Sequence, residues 1–263
     1  MAGIDLSIII PAYNETKRIQ TALVDLFAFL ATTTWQYDVS VVDDGSTDGT
    51  ADLVRGLIPA FQNLSVTSLS PNQGKGAAVK AGMLAANGNV VAFLDADGST
   101  PPDQLVKLYS RCSSVTNSSG VPVVIGSRAL TSATTNITTS LHRKALGRIF
   151  NFVVNVLAVP GIADTQCGCK MFDRRAAQFL FSRQISTGFS FDVEILMIAQ
   201  KAGMKIEELP INWVNIEGSK VDLLRDSLRM FRDILRFRKL HRHVEHYHMA
   251  QEQPAAGYSI STL

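Results

Sequence analysis

Asn89-Val-Val-Ala-Phe-Leu-Asp-Ala-Asp97 joins a short apolar run to two carboxylates one residue apart. The run is too short for a helix and reads as a buried strand, with the acidic pair at its carboxyl end. The same pattern recurs outward from it. Leu6 to Pro11 is a β-branched apolar run that leads into Tyr13, Asn14 and Glu15. Tyr37 to Val42 is ended by Asp43-Asp44-Gly45-Ser46, and Leu64 to Leu69 and Val121 to Ile125 complete five candidate strands. Helical spacing fills the gaps: Ile19, Leu23, Leu26, Phe27 and Leu30 within Thr16 to Leu30, then Leu53, Val54 and Leu57 behind an Asp48 cap. A third helix follows Gly74 through Val79, Met83 and Leu84, and Pro101-Pro102 opens a fourth. Strands alternating with helices imply a parallel, doubly wound α/β sheet, in which ligands bind at the carboxyl ends of the strands. The polar clusters Asn14-Glu15, Asp43-Asp44 and Asp95-Asp97 all fall there.

Beyond Gly126 the alternation stops. Ser127 to Ser140 holds eight Ser/Thr in fourteen residues and reads as a mobile loop. Leu141 to Val159 is a helix with a basic start, Phe189 to Ala202 a second, and Lys205 to Ile216 a strand pair broken at Pro210. Asp222 to Leu240 is a long basic amphipathic helix, and the residues after it read as a frayed tail.

The chain has 263 residues, 46% hydrophobic and 18% charged, which excludes a disordered chain. A net charge of +2 argues against a nucleic-acid binder, but the balance is uneven. Seven Lys/Arg and two Asp between Arg225 and His243 give that stretch +5, leaving about −3 for the rest. Cys112, Cys167 and Cys169 make neither a disulfide framework nor a zinc site, as expected of a reducing compartment. Asp5 interrupts any signal-peptide pattern, and no apolar run reaches the length of a membrane span.

Asp95 and Asp97 are the sharpest chemical signal. Hard cations such as Mg²⁺ and Mn²⁺ take oxygen ligands and share them with substrate phosphates. Asp-x-Asp-Gly is equally an ordinary turn sequence. Asp43-Asp44 suits hydrogen bonding to a base or ribose, or a plain turn. Lys75, between Gly74 and Gly76 at a helix start, suits a pyrophosphate but lacks phosphate-loop spacing.

Taken in order, Pro11-Ala-Tyr-Asn-Glu15, Val42-Asp-Asp-Gly-Ser46, Asn72-Gln-Gly-Lys-Gly76 and Asp95-Ala-Asp97 resemble the inverting glycosyltransferases of family two. The resemblance continues through Gly126-Ser127-Arg128, Asp164-Thr-Gln-Cys-Gly168 with Lys170, Phe191-Asp-Val-Glu194, Trp213 and Glu217-Gly-Ser-Lys220. Those segments are similar to the polyprenyl-phosphate sugar transferases, with the glucose-transferring branch nearer than the mannose-transferring one. The likeness spans roughly residues 5 to 240. It implies a GT-A-type, Rossmann-like fold with a mixed, mostly parallel sheet flanked by helices. It also implies a donor site of Pro11, Tyr13, Glu15, Val42, Asp44, Lys75, Asp95, Ala96 and Asp97. Asp95 and Asp97 would hold Mg²⁺ or Mn²⁺, with Asp97 the direct ligand. Arg128, Arg143 and Lys220 would meet phosphates, Arg128 and Lys220 being catalytic together with Asp97. Gln166, Asp192, Glu194 and Trp213 would line an acceptor pocket. Ser99 departs from the pattern, since the mannose-transferring relatives often carry Gln there.

The implied reaction moves glucose from UDP-glucose to a polyprenyl (dolichyl-type) phosphate with inversion. GDP-mannose is the alternative donor, and a non-catalytic sugar-nucleotide-binding protein the alternative from another class. A lipid phosphate, with a second pKa of about 6, is already an anion at neutral pH, so no dedicated base is required. Asp192 and Glu194 are then expected to organise the pocket rather than take a proton. All five His lie at 142 or beyond 240, where solvent or lipid headgroups are expected around them. The expected organisation is a catalytic domain over 1–220 (nucleotide half to about 126, acceptor half from 127), a membrane-facing helix over 221–243 and a flexible tail over 244–263. The expected setting is the cytoplasmic face of a membrane, with a membrane-protein partner or a second copy as possible company and no nucleic acid.

Overall fold

The computed structural model describes residues 3–112, 121–130, 137–138, 158–214, 216 and 223–247. Strands β1 (Leu6–Ala12), β2 (Tyr37–Asp43), β3 (Leu64–Ser68), β4 (Val90–Leu94) and β5 (Val123–Ser127) alternate with helices α1 (Ile19–Leu30), α2 (Thr50–Leu57), α3 (Lys75–Ala85) and α4 (Gln104–Cys112). There follow β6 (Ile137–Thr138), β7 (Cys169–Asp173), α5 (Arg174–Arg183), α6 (Phe191–Lys201), β8 (Ile206–Pro210), β9 (Trp213–Val214) and α7 (Leu223–Leu240).

The main sheet has seven strands in the order β3-β2-β1-β4-β7-β5-β8. It is parallel except at β7, which runs antiparallel to both β4 and β5. The chain winds outward from β1 through β2 to β3, then returns to the other side of β1 as β4. That reversal opens a crevice beyond the carboxyl ends of β1 and β4, the usual ligand position in such sheets.

Both faces of the sheet are covered, so β1 and β4 are buried along their whole length. Period-2 alternation divides their side chains between two cores. Ile9, Val91, Phe93, Phe172 and Ile125 pack with α3, α5, α6 and α7. Ile8, Ile10, Ala92, Leu94, Met171 and Val124 pack with α1, α2 and α4. Met83, Met171, Met197 and Met204 are core residues, as are all three cysteines. Burial raises the Cys167 thiol to about 12 and pushes Cys169 and Cys112 upward too, so none is a reactive thiol.

Several expectations need correction. Asp48 is not the cap of α2: Gly49, in the left-handed conformation, holds that position. Asp48 sits one residue earlier and accepts hydrogen bonds from the Thr50 N–H (3.0 Å), the Thr16 N–H (3.2 Å) and the Thr16 hydroxyl (2.8 Å). It therefore ties the β1 and β2 exits together. β7 and α5 had no counterpart in the sequence reading. The strand pair at 205–216 breaks after Pro210, and its halves join different sheets. Val244 and Tyr247, within the expected tail, pack on the core, and the Tyr247 N–H donates to Ala202 O at 2.8 Å. The expected helix at 141–159 lies almost wholly outside the described residues, as does most of the Ser/Thr-rich loop. Among the described residues, no helix is long and apolar enough to cross a membrane.

Candidate active site at the carboxyl edge of the sheet

Five loop segments meet at the crevice because of the strand order. β1 ends at Ala12, β2 at Asp43, β4 at Leu94 and β5 at Ser127. The antiparallel β7 begins on the same edge, with Cys169 opposite Leu94 and the Asp95 N–H donating to Gly168 O at 3.0 Å. One reversed strand thus brings Asp164–Gly168 beside the acidic pair.

The β1 and β2 exits are laced to each other. The Asn14 N–H donates to Ser46 Oγ, and Asn14 Oδ1 accepts from the Thr47 N–H, both at 2.8 Å. The Glu15 N–H donates to Thr50 Oγ1 at 2.8 Å, and the Glu15 carboxylate takes a two-pronged bond from Arg18 at 2.7 and 2.8 Å. Pro11 and Val42 are register partners within the sheet, which holds the loops carrying Tyr13 and Asp44 side by side. Tyr13 presents an exposed ring. Asp44 is buried, and its carboxylate accepts from the Gln73 N–H (2.8 Å), the Gly74 N–H (2.7 Å) and the Asn72 amide (2.9 Å). Its observed work is to anchor the loop that carries Lys75.

Lys75 Nζ reaches Asp95 Oδ1 at 2.6 Å. Burial alone would depress the Lys75 pKa, but Asp95, Asp192 and Asp97 outweigh it and the net shift is upward. Gly168 makes room for the acid: a Cβ there would overlap the Asp95 carboxylate. Asp97 is half-buried, and its Oδ1 accepts from the Ser99 N–H at 2.9 Å. Ala96 between them is buried. Asp95 Oδ1 is shut off from solvent and taken up by the Lys75 ammonium, while Ser99 Oγ is shut off from solvent without a hydrogen bond among the described residues. The Asp95 carboxylate as a whole keeps 36% exposure, so its outer side stays open. An oxygen-only donor set, partly unsatisfied and partly open, fits a hard divalent ion that completes its shell with phosphate and water. Among the described residues there is no cluster of three or more His, Cys, Asp or Glu, so such an ion would rest on the Asp95–Asp97 pair and its ligand.

The other side of the crevice is built on ion pairs. Arg128 Nε and Nη2 grip Asp164 at 2.8 and 2.9 Å, and the Arg128 N–H adds a third bond at 2.9 Å. Burial works against the ionised form of each, yet the pairing raises Arg128 and lowers Asp164. Glu208 on β8 holds the loop from behind, accepting from the Ala163 and Asp164 N–H groups at 2.8 and 2.7 Å. The Arg128 guanidinium lies 5.5 Å from the Trp213 ring centre. Gln166 is half-buried and points its amide at Met230 Sδ of α7, at 3.7 Å.

Lys170, 1% exposed, donates to Asp192 Oδ1 at 2.5 Å and to Cys167 O at 2.7 Å, with its ammonium 5.3 Å from the Phe93 ring centre. Burial raises the Asp192 pKa against the opposing pull of Lys170 and Lys75. Glu194 is fully buried and accepts from the Ile185 N–H (3.0 Å), the Ser186 N–H (2.7 Å) and His241 Nε2 (2.7 Å). Both acids are thus held in hydrogen bonds within the protein. His241 corrects the expectation of solvated histidines: it is 7% exposed. Arg143 and Lys220 lie outside the described residues. Sequence reasoning missed Gly168, Glu208 and His241 as site-building residues. A run such as Gly168-Cys-Lys170 beside an acidic motif carries no local sign that the two segments touch.

Residues 7–181 match the model for glycosyl transferase family 2. A dolichyl-phosphate beta-glucosyltransferase of Trichomonas vaginalis is 36% identical over 220 residues, which is 82% of this chain and 65% of that protein. One from Dictyostelium discoideum is 37% identical over 247 residues, 90% of this chain and 74% of its own length. The chain thus spans just under two thirds of the length of the first of these relatives and 74% of the second. In structure, the Mycobacterium tuberculosis glucosyl-3-phosphoglycerate synthase in complex with Mn²⁺, UDP-glucose and phosphoglyceric acid superposes with a TM-score of 0.65 at 17% identity, covering 91% of this chain and 80% of that one. That likeness supports the GT-A fold. The match over residues 7–181, with relatives more than a third identical, decides the family: this chain belongs to glycosyl transferase family 2.

Proposed function

We propose that this chain transfers glucose from UDP-glucose to a polyprenyl (dolichyl-type) phosphate with inversion at the sugar. The observation that carries the reading is the convergence of Asp95–Asp97, Lys75, Arg128 and the 164–168 loop on one sheet edge, in a chain whose relatives are dolichyl-phosphate beta-glucosyltransferases. Tyr13, Glu15 and Asp44 frame the nucleoside side, with Pro11 and Val42 as its floor. Asp95 and Asp97 would hold Mg²⁺ or Mn²⁺, which would supply charge neutralisation for the departing nucleoside diphosphate. Lys75 supplies a second positive charge to that group. Arg128 keeps one edge on Asp164, and its other N–H groups are the donors that meet a phosphate. Lys220 and Arg143 are assigned to the acceptor phosphate on the sequence pattern.

The acceptor oxygen attacks as an anion. The chain's task is to orient it, exclude water and stabilise charge; no side chain has to remove a proton from it. Asp192 and Glu194, already engaged by Lys170, the 185–186 backbone and His241, shape the pocket.

The lipid acceptor places this work at a membrane surface. α7 seats Met230, Ile234 and Phe237 on the body and leaves Phe231, Leu235 and Leu240 exposed beside Arg232, Arg236, Arg238 and Lys239. An apolar row flanked by cations suits an anionic interface. Three free, buried cysteines fit the cytoplasmic face.

The test is calorimetric binding of UDP with and without Mn²⁺ to the whole chain and to Asp97→Ala. Metal-dependent binding lost in Asp97→Ala is expected. Equal binding in both would remove the metal assignment.

A further inference from the structure

We infer that His241, at the end of α7, is a positioning residue for the Lys75 corner of the site, acting through Glu194. The inference rests on the reading of that corner as the donor site.

Polar residues at the start of α6 reach both β7 and α7 with its C-terminal end. The Ser190 hydroxyl donates to Asp233 of α7 at 2.6 Å, Asp192 pairs with Lys170 of β7, and Glu194 bonds His241. Glu194 is the branch point. One oxygen takes the His241 Nε2–H and the Ile185 N–H, and the other takes the Ser186 N–H. The Nε2–H tautomer is the one a carboxylate partner requires.

Residues 184–188, held in this way, form the support of the α3 N-terminus. Gln184 Nε2 donates to Gly76 O at 2.8 Å, the Ala77 N–H donates to Thr187 O at 3.1 Å, and Lys80 Nζ donates to Gln184 O at 2.7 Å. The approach is so close that a Cβ on Gly74 would overlap Thr187 O, and one on Gly76 would stand 2.7 Å from Ser186 O. Lys75 lies between those two glycines. Its backbone is clamped by 184–188 on one side and by Asp44 on the other, and its ammonium meets Asp95. A continuous set of hydrogen bonds and one close-packed loop thus runs from α7 to the acidic pair. The tail end of α7 is secured separately, with Lys201 Nζ donating to His241 O at 2.9 Å. Such a path couples two sites only if disturbing one end is felt at the other, and that is measurable.

Hydrogen exchange read by mass spectrometry on the full chain, without substrate, tests the relay. His241→Ala removes a hydrogen bond to a buried carboxylate, a loss of about tenfold or more in local stability. Exchange in peptides covering 74–78 and 185–188 should rise by about that factor, with β1 and β2 unchanged. His241→Gln, which can place an amide N–H near Glu194, should recover most of the protection. Ile234→Val trims the buried face of α7 without touching Glu194 and should leave 74–78 unchanged. If His241→Ala leaves 74–78 protected, or His241→Gln exchanges like His241→Ala, the relay is overturned. Should His241→Ala fail to fold, Glu194→Gln keeps the shape, replaces one acceptor oxygen by a donor and answers the same question. Steady-state kinetics then separate the relay from the reading beneath it. His241→Ala should raise the KM for UDP-glucose about tenfold with kcat within about twofold. Altered exchange with an unchanged KM would keep the mechanical link and overturn the placement of the donor at Lys75.

Discussion

Removing Asp192 strands a buried ammonium. Lys170 is 1% exposed and has two strong partners, Asp192 at 2.5 Å and Cys167 O at 2.7 Å. In Asp192→Ala the ammonium keeps one carbonyl and a ring face. Breaking one side of such a pair costs about 3–5 kcal/mol. At roughly 2–4 °C per kcal/mol for a chain of this size, the melting temperature should fall by about 6–20 °C. Replacing both partners by apolar residues of similar volume, Lys170→Met with Asp192→Leu, should bring stability back to within about 1 kcal/mol of wild type or above it. Urea denaturation of wild type, both single variants and the double variant gives the coupling energy, expected to exceed about 2 kcal/mol. Function should not follow stability. Asp192 also supports the Lys75 ammonium, so the restored double variant should still bind UDP more weakly. A single-variant cost below about 1 kcal/mol, or strictly additive costs, would refute the reasoning.

Gly168→Ala drives a methyl group into the Asp95 carboxylate and should lower transfer at least roughly 100-fold, with Mn²⁺ binding lost and the circular-dichroism spectrum unchanged. Normal Mn²⁺ binding in that variant would contradict the role given to Asp95. Burial tends to raise the Asp48 carboxyl, but bonds from Thr50 and Thr16 prevail and hold it at about 2, below its ordinary 3.8. The stability Asp48 supplies is therefore complete above its unfolded value and lost as pH falls from 4 toward 2. Urea titrations across that window should show a shallower loss for Asp48→Asn than for wild type, and parallel curves would count against it. Changing Arg232, Arg236 and Arg238 to Gln removes three charges worth about 1 kcal/mol each at an anionic surface, so flotation on phosphatidylserine vesicles should weaken roughly 100-fold. Equal flotation of variant and wild type would leave α7 without an interfacial role.

The nucleotide half was legible because its strands are short apolar or alternating runs closed by polar turn residues, and each helix has its own period. Ile8 and Ile10 face one core and Ile9 the other, as period 2 requires. β7 was hidden for a physical reason. Lys170 sits at the second of its five positions, and a lysine there argues against burial unless its partner is known. That partner, Asp192, lies 22 residues on. The antiparallel insertion follows from neither alternation nor composition, yet it carries Gly168 to Asp95. α5 left a readable sign in the Asp173 side chain, which caps the Arg175 and Ala176 N–H groups at 2.9 and 3.3 Å ahead of Leu180 and Phe181. α7 carries two apolar rows, which let it pack on one face while exposing the other. His241 could not be found from spacing, since its partner is set by how α7 lies along α6.

Offering polyprenyl phosphate with a panel of labelled UDP- and GDP-sugars in the presence of Mn²⁺ tests the central claim most directly. The account predicts an organic-extractable product from UDP-glucose, β-linked at the sugar, and none from that donor with Asp97→Ala. Product from GDP-mannose alone would reverse the donor assignment, and no lipid-linked product from any donor would contradict the account.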